Sequence, residues 1–499
     1  MQRVLFAFFA LLLVGWAPTH AAESAPAWPG TEWETSTPEA QGMDSAVLAQ
    51  LVEYGRNAKM DSLLVVRNGR IVLDAYYAPF APGMRHRVNS VTKAFVGALT
   101  GIAIARGDLP SVETPMSDVV RGDAALAQRW AGMTLQHVLE GTSGVNWKEP
   151  LDGGSAVDAI AMGRAPDWKQ YVLQRPLARP PGSSFDYNSG ITHLLSAVLA
   201  ERTGMPTQAY AQQHLFGPIG IGGYRWRTDP QGVATGGWGL YLAPRDMARF
   251  GLLYLRGGEW NGRQVLPRAW TQRVFDARVP MTVPGFAYGD FWWAYQRLRA
   301  YLASGYLGQA ILVLPDEGIV AVMTGRAGYP AVDLVRNLRR AVKAEAALPS
   351  NEEAFGRLQA LVAEVAQEPA PPAAVAGMRI PAGTRFALAD NRLGLQELVL
   401  DLEHASPRYR IVGRSPAGPV LLERAVGLAG RFARSTHEGA VVLNRATWTA
   451  ADTLVVEHHV PEELVAFRYE LRFDGDALQL THVGADGSRL ALTGRRIAP

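Results

Sequence analysis

The spacing of apolar positions changes several times along the chain, and each change marks an element. An apolar run from Val4 to Ala17 comes first, after Arg3 and before Thr19-His20-Ala21-Ala22. About 14 apolar residues suit the core of a secretory signal and are too few to span a membrane. A leader over residues 1–22, cut after Ala21 or Ala22, is therefore expected, and with it a periplasmic or secreted mature protein. No later run reaches the ~18 apolar residues that a transmembrane segment needs. Asp44 or Ser45 is placed to cap an amphipathic helix carrying Leu48, Leu51, Val52 and Tyr54. Two strand-like runs, 63–66 and 71–77, flank Asn68-Gly69, the strongest short hairpin signal. Residues 94–105 are apolar almost all round, which predicts a buried helix.

From about residue 105 to 250, helical patterns alternate with loops such as Pro180-Pro181-Gly182. Strand patterns return over 291–322, where 311–314 and 319–322 flank the turn Pro315-Asp316-Glu317-Gly318, and a helix is expected over 331–346. Glu368-Pro369-Ala370-Pro371-Pro372 reads as a linker. Beyond 376 short strands separated by Asp474-Gly475 and Asp486-Gly487 predict a β-sandwich or small barrel. The expected organisation is a main domain over 23–350, a linker over 351–375 and an all-β domain over 376–499.

Composition narrows the function classes. With 48% hydrophobic and 19% charged residues in 499, the chain is globular rather than disordered. Its net charge of +3 is too small for an electrostatic nucleic-acid footprint. It has no cysteine, which removes disulfides, a cysteine nucleophile and cysteine-bound zinc. His458-His459 and His437-Glu438 lack a third ligand at useful spacing and read as surface residues of the β-domain, so neither a metal nor a cofactor is expected.

Three short segments carry chemistry. Asn89-Ser90-Val91-Thr92-Lys93 holds the only S-x-x-K of the chain. On a helix, residues at i and i+3 share a face. A serine hydroxyl is a weak nucleophile until a neighbour takes its proton, and a lysine in apolar surroundings can be that neighbour. The start of a buried helix also offers N–H groups to a developing oxyanion. In Phe185-Asp186-Tyr187-Asn188-Ser189-Gly190, Tyr187 and Ser189 can face one cleft, and a tyrosine beside an ammonium can act as general base. In Ala303-Ser304-Gly305-Tyr306-Leu307-Gly308-Gln309, Gly305 permits a close backbone approach and an adjacent strand N–H can donate to an oxyanion. Trp168 and the stretch Gly289-Asp290-Phe291-Trp292-Trp293 are candidates for an acyl pocket.

In this order the three segments resemble the serine β-lactamase and penicillin-binding-protein superfamily, marked by S-x-x-K, Tyr-x-Asn and Lys-Thr-Gly or His-x-Gly. Thr142-Ser143-Gly144, residues 185–195 and Pro244-Arg245-Asp246-Met247-Ala248-Arg249-Phe250-Gly251 are similar to the branch of 6-aminohexanoate-dimer hydrolases and class C-like esterases. The resemblance covers roughly residues 33–346. It implies an α/β (α+β) fold: a β-lactamase-like antiparallel sheet flanked by helices, with a helical subdomain, beside the C-terminal all-β domain. It implies Ser90 as acylated nucleophile, Lys93 and Tyr187 as acid/base, and the N–H groups of Ser90 and Tyr306 as oxyanion hole. Ser189, Ser304 and Gly305 are expected around the substrate. Two departures stand out. Ser189 replaces the Asn of Tyr-x-Asn, and Ala303 occupies the cationic place of Lys-Thr-Gly. The first is shared with the aminohexanoate-dimer hydrolases, and both count against β-lactam and D-Ala-D-Ala chemistry, because those substrates bring a carboxylate that wants the cation. The expected activity is hydrolysis of a small-molecule amide or ester. The alternatives are a D-aminopeptidase, cell-wall peptidase or β-lactamase, and a non-catalytic binding or sensor protein, against which the intact Ser90, Lys93 and Tyr187 set argues.

Overall fold

The computed structural model describes residues 28–498, apart from 153, 278, 328–330, 369–374, 416–417, 429, 438, 464 and 485–486. The expected leader over 1–22 therefore lies outside the described residues, as do much of the Pro-rich run and Glu438. No helix among the described residues is long and apolar enough to cross a membrane.

Asn68 and Gly69 both take left-handed backbone, with φ of 53° and 83°. This is the turn that matches strand twist, and it joins β1 (Met60–Arg67) to β2 (Arg70–Tyr76). The main sheet is completed by β3 (Val279–Pro280), β4 (Ala287–Gly289), β5 (Trp292–Tyr295), β6 (Ala300–Gly305), β7 (Gln309–Leu314) and β8 (Ile319–Gly325). Its order is β2-β1-β8-β7-β6-β5-β4-β3, antiparallel throughout. Side chains of the central strands alternate between two cores. Leu64, Val66, Ile311, Val313, Val320 and Val322 enter one; Leu63, Val65, Leu312, Leu314, Ile319 and Ala321 enter the other. A sheet buried on both faces explains why these strands read as continuous apolar runs.

Against the second face pack α1 (Ser45–Asn57), α5 (Ala331–Ala341) and α6 (Glu352–Val365). Asp44 caps α1 by accepting from the Ala46 N–H. Against the first face pack α2 (Val91–Arg106) and α4 (Pro244–Leu255), whose Phe95 and Phe250 rings stack at 3.8 Å. α3 (Ser189–Thr203) and several short helices form the helical subdomain beyond α2.

Two boundaries differ from expectation. The helix predicted over 331–346 ends at Ala341. The segment expected to open a linker at 351 is instead α6, whose Leu358 and Val365 are buried against α1 and β2. Its Ala354, Leu358, Leu361 and Val365 lie on one helical face, a period that the Pro-rich run just beyond obscures.

The C-terminal domain is all β. Among the described residues its strands are β9 (Thr384–Leu388), β10 (Leu395–Asp401), β11 (Arg408–Ser415), β12 (Gly418–Ala425), β13 (Ala433–His437), β14 (Ala440–Ala450), β15 (Thr453–Val460), β16 (Val465–Asp474), β17 (Ala477–Gly484) and β18 (Arg489–Ile497). The order is β12-β11-β10-β9-β18-β17-β16-β15-β14-β13, with the first strand beside the last at mid-sheet and β12 and β13 at its ends, and the sheet is barrel-like around one core. Phe386, Leu400, Ile411, Leu454, Leu471 and Leu480 fill it. His458, expected on the surface, is buried. Its Nδ1 lies 2.6 Å from Asn444 Oδ1, and its ring stacks on Phe467, because alternation along β15 turns it inward.

Candidate active site

Ser90 stands at the N-terminus of α2, on a segment tied to the neighbouring strand Leu240–Leu242. The Val88 N–H donates to the Leu240 carbonyl at 3.0 Å, and the Leu240 N–H donates to Thr92 Oγ1 at 3.2 Å. Asn89 turns the chain into the helix with φ +50°, a left-handed conformation that asparagine tolerates better than most residues. The Ser90 hydroxyl makes no capping bond to its own helix. It accepts instead from Lys93 Nζ at 3.0 Å.

Lys93 is almost wholly enclosed. Besides Ser90 it donates to Ser189 Oγ and to the Gly237 carbonyl, each at 2.8 Å. These three acceptors match the three donors of an ammonium. The Nζ also lies 4.6 Å from the centre of the Tyr187 ring, an attractive cation–π placement. Tyr187 precedes α3, where the Asn188 side chain accepts from the Ile191 N–H at 2.9 Å and caps the helix.

Ser189 does not face the cleft, contrary to its expected place beside the substrate. It is 1% exposed, because the first turn of α3 packs on Trp147: a Cβ on Gly190 would lie 2.4 Å from that indole. Its hydroxyl joins Lys93 to Glu149, donating to Glu149 Oε1 at 2.5 Å. Glu149 Oε2 accepts from the Ser189 N–H at 2.8 Å and from Trp147 Nε1 at 2.7 Å. Sequence reasoning missed Glu149. No motif marks it: it lies five residues after Thr142-Ser143-Gly144, in Trp147-Lys148-Glu149.

The opposite wall is the end of β6. Gly305 pairs with Gln309 across the turn. A Cβ there would lie 2.4 Å from the Val88 carbonyl and 3.3 Å from the Ser90 nitrogen. The close approach that demands glycine is thus to the chain entering α2, whereas the sequence suggested an approach to substrate. Tyr306 follows at the mouth, 73% exposed. Ser90, Tyr187, Ser304, Gly305 and Tyr306 line a cleft of about 530 Å³, joined by Glu149, Leu151, Ile160 and Trp293. Of the candidate aromatics only Trp293 lines it; Trp292 is fully buried, and Trp168 packs edge-on against His193. Below the cleft, burial drives the Tyr288 phenol well above its ordinary pKa, reinforced by Tyr187 and Glu149. Burial also raises Asp186 to about 6, opposed by Arg179 at 2.9 Å. Arg85 and Arg87, the cations nearest in sequence to Ser90, are engaged elsewhere: Arg85 Nη2 contacts Glu462 Oε1 at 3.2 Å, and Arg87 Nε donates to Asn89 Oδ1 at 3.0 Å.

The arrangement brings a hydroxyl, an amine and a phenol together at a helix start beside a cleft, as acyl transfer requires. Comparison with known proteins points the same way. The chain is 25% identical over 284 residues to the 6-aminohexanoate-dimer hydrolase of Paenarthrobacter ureafaciens, covering 52% of this chain and 71% of that protein. Its fold matches that of a Bacillus anthracis protein assigned as a 6-aminohexanoate-dimer hydrolase, with a TM-score of 0.52 at 21% identity over 65% of this chain and 90% of that one. It also matches the fold of EstCE1, a hydrolase with promiscuous acyltransferase activity, with a TM-score of 0.50 at 17% identity over 60% of this chain and 99% of that one. The Beta-lactamase family model matches residues 46–346, and the chain belongs to that family of serine hydrolases.

Proposed function

We propose that the protein is an exported hydrolase that cleaves small amides or esters through an acyl-enzyme on Ser90. The observation that carries this reading is the 3.0 Å contact between Lys93 Nζ and Ser90 Oγ, with Tyr187 beside the same amine. Ser90 Oγ attacks the carbonyl carbon as its proton passes to the Lys93/Tyr187 pair. The oxyanion is met by the N–H groups of Ser90 and Tyr306. The C–N or C–O bond then breaks, and the leaving group takes the proton back from the pair. Water attacks the acyl carbon, gives its proton to the pair and releases the acid, and Ser90 is restored. With all three Lys93 donors engaged, the amine accepts a proton only after passing one on. The Ser189 hydroxyl, bonded to both Lys93 and Glu149, provides the route. Export rests on the apolar run that opens the chain. The name of the Paenarthrobacter relative, a hydrolase of 6-aminohexanoate dimer, supports an amide as one class of bond cleaved. The test is labelling by a fluorophosphonate followed by intact-mass analysis. One adduct, absent from Ser90→Ala, is expected; a protein left unlabelled refutes the acyl-enzyme and favours a binding role.

A further inference from the structure

The C-terminal barrel reaches the nucleophile through one short turn. Pro461–Glu463, between β15 and β16, packs on residues His86–Arg87, three positions before Ser90. Glu462 is buried there, against Arg85 at 3.2 Å and Arg225 at 3.5 Å. Glu463 accepts from Arg225 Nη2 and from the Tyr241 hydroxyl, each at 2.7 Å, and its Oε2 lies 3.7 Å from Arg87 Nη1. Burial works against its charge, but Arg225, the Tyr241 hydroxyl and Arg227 together hold its carboxyl below the ordinary range.

Arg87 extends the contact inward. Its Nε donates to Asn89 Oδ1 at 3.0 Å, and Asn89 Nδ2 donates to the Tyr306 carbonyl at 2.8 Å. A guanidinium has only donors, so it selects the oxygen end of the amide and turns the nitrogen end toward Tyr306. Asn89 is also the residue whose left-handed backbone delivers Ser90 to the helix. Its side chain thereby ties the segment before Ser90 to the turn after β6, the two walls of the cleft. The other end of the Arg87 guanidinium is ion-paired, at 3.7 Å, with a carboxylate that belongs to the barrel.

We propose that Glu463, Arg87 and Asn89 are positioning residues, through which the C-terminal barrel sets the geometry of Ser90 and Tyr306. The barrel is then part of the catalytic apparatus. The relay rests on the reading of Ser90 as nucleophile, and its loss slows acylation rather than weakening the fold. Glu462 and the small apolar contact of Phe80, Met84 and Leu443 keep the barrel docked without it.

The test is the single-turnover rate of Ser90 acylation by p-nitrophenyl butyrate in the full chain. Glu463→Gln, which keeps shape and loses charge, and Arg87→Lys, which keeps charge and loses the planar fork, should each slow acylation roughly three- to tenfold with KM within about twofold. Asn89→Gly, which retains the left-handed backbone, should slow it at least as much. Glu463→Gln combined with Asn89→Gly should be no slower than Asn89→Gly alone, because the two lie on one path. A melting temperature close to the native value in Glu463→Gln separates positioning from unfolding. Native acylation in both Glu463→Gln and Arg87→Lys, or losses that multiply in the double variant, overturns the relay while leaving the nucleophile in place. A native protein unlabelled at Ser90 overturns the nucleophile, and the relay with it.

Discussion

Replacing Glu149 with Gln changes one charge at nearly constant volume, and the surroundings of Glu149 allow its effect to be worked out. The carboxylate accepts three hydrogen bonds, from Ser189 Oγ at 2.5 Å, the Ser189 N–H at 2.8 Å and Trp147 Nε1 at 2.7 Å. A glutamine brings one acceptor oxygen and an NH₂ group, which can only donate, to Ser189 Oγ at best, and so cannot receive the hydroxyl proton. Either the Ser189 hydroxyl or its N–H and the indole lose their acceptor. A hydrogen bond to a charged acceptor contributes about 1.5–3 kcal/mol. If one such bond is expressed in the transition state, through Ser189 and Lys93, kcat falls roughly 10–150-fold. KM should stay within about threefold, since the bond serves the proton path more than binding. The assay is steady-state hydrolysis of p-nitrophenyl butyrate at neutral pH, with circular dichroism to establish folding. Ser189→Ala breaks the same line at its middle and should cost a similar factor, and the double variant little more. A folded Glu149→Gln with kcat within twofold of native would refute the coupling between Glu149 and Lys93.

Ser90→Ala should abolish hydrolysis while costing under about 1 kcal/mol of stability, because the hydroxyl makes no capping bond; residual turnover above a trace removes Ser90 from the mechanism. Lys93→Ala and Tyr187→Phe should each lower kcat about 10²–10⁴-fold without multiplying in the double variant, as single and double variants assayed in parallel would reveal. Short-chain esters should be hydrolysed at least ~10-fold better, by kcat/KM, than a chromogenic cephalosporin; a cephalosporin value equal to the ester's sinks that specificity. His458 is held down to about 4 by burial, with Arg424 and His459 adding to it. Below pH 6.5 the unfolded chain takes up a proton that the folded barrel refuses, so stability present above 6.5 is lost as pH falls toward 4. At ~1.4 kcal/mol per pH unit the loss is about 2–3 kcal/mol by pH 4.5. Urea melts at pH 7.5 and 4.5 measure it, and a His458→Gln barrel with the same pH slope contradicts the assignment.

What was legible in the sequence follows the range of the interactions involved. The hairpin at Asn68-Gly69, the buried helix after Ser90 and the strands around the Pro315 turn are local, because backbone preference and apolar period decide them within a few residues. The proximity of Ser90 and Lys93 is local too, since one helical turn places them. Tyr187 and Tyr306 were legible only through the resemblance to a family, since no spacing rule brings residues 97 and 216 positions away to one hydroxyl. Glu149 escaped because nothing in Trp-Lys-Glu marks a carboxylate that packs beneath a distant helix start. The boundary at 351 failed for a physical reason as well: α6 is amphipathic, but it lies beside a Pro/Ala run whose composition dominates the window.

The specificity argument is sharper in the fold than along the chain. A β-lactam carboxylate needs an unengaged cation at the cleft, and the positions that carry or could replace the superfamily's cation in sequence are closed by different features. Ala303, at the position where the superfamily carries Lys, is wholly buried and pairs with Ile311 inside the sheet. Ser189, at the position of the substrate-gripping Asn, is turned away and committed to Lys93 and Glu149. Arg85 and Arg87 are taken by Glu462, Asn89 and Glu463, so the barrel's acidic turn withdraws charge from the entry to α2 while it braces that entry. Opposite them the cleft presents Leu151, Ile160 and Trp293 beside a single carboxylate, Glu149. Such a lining favours an acyl chain that is apolar near the reacting carbonyl, and it penalises an anion by leaving that charge unpaired as water is displaced. The proposed preference for esters over β-lactams thus rests on what the site withholds as much as on what it offers.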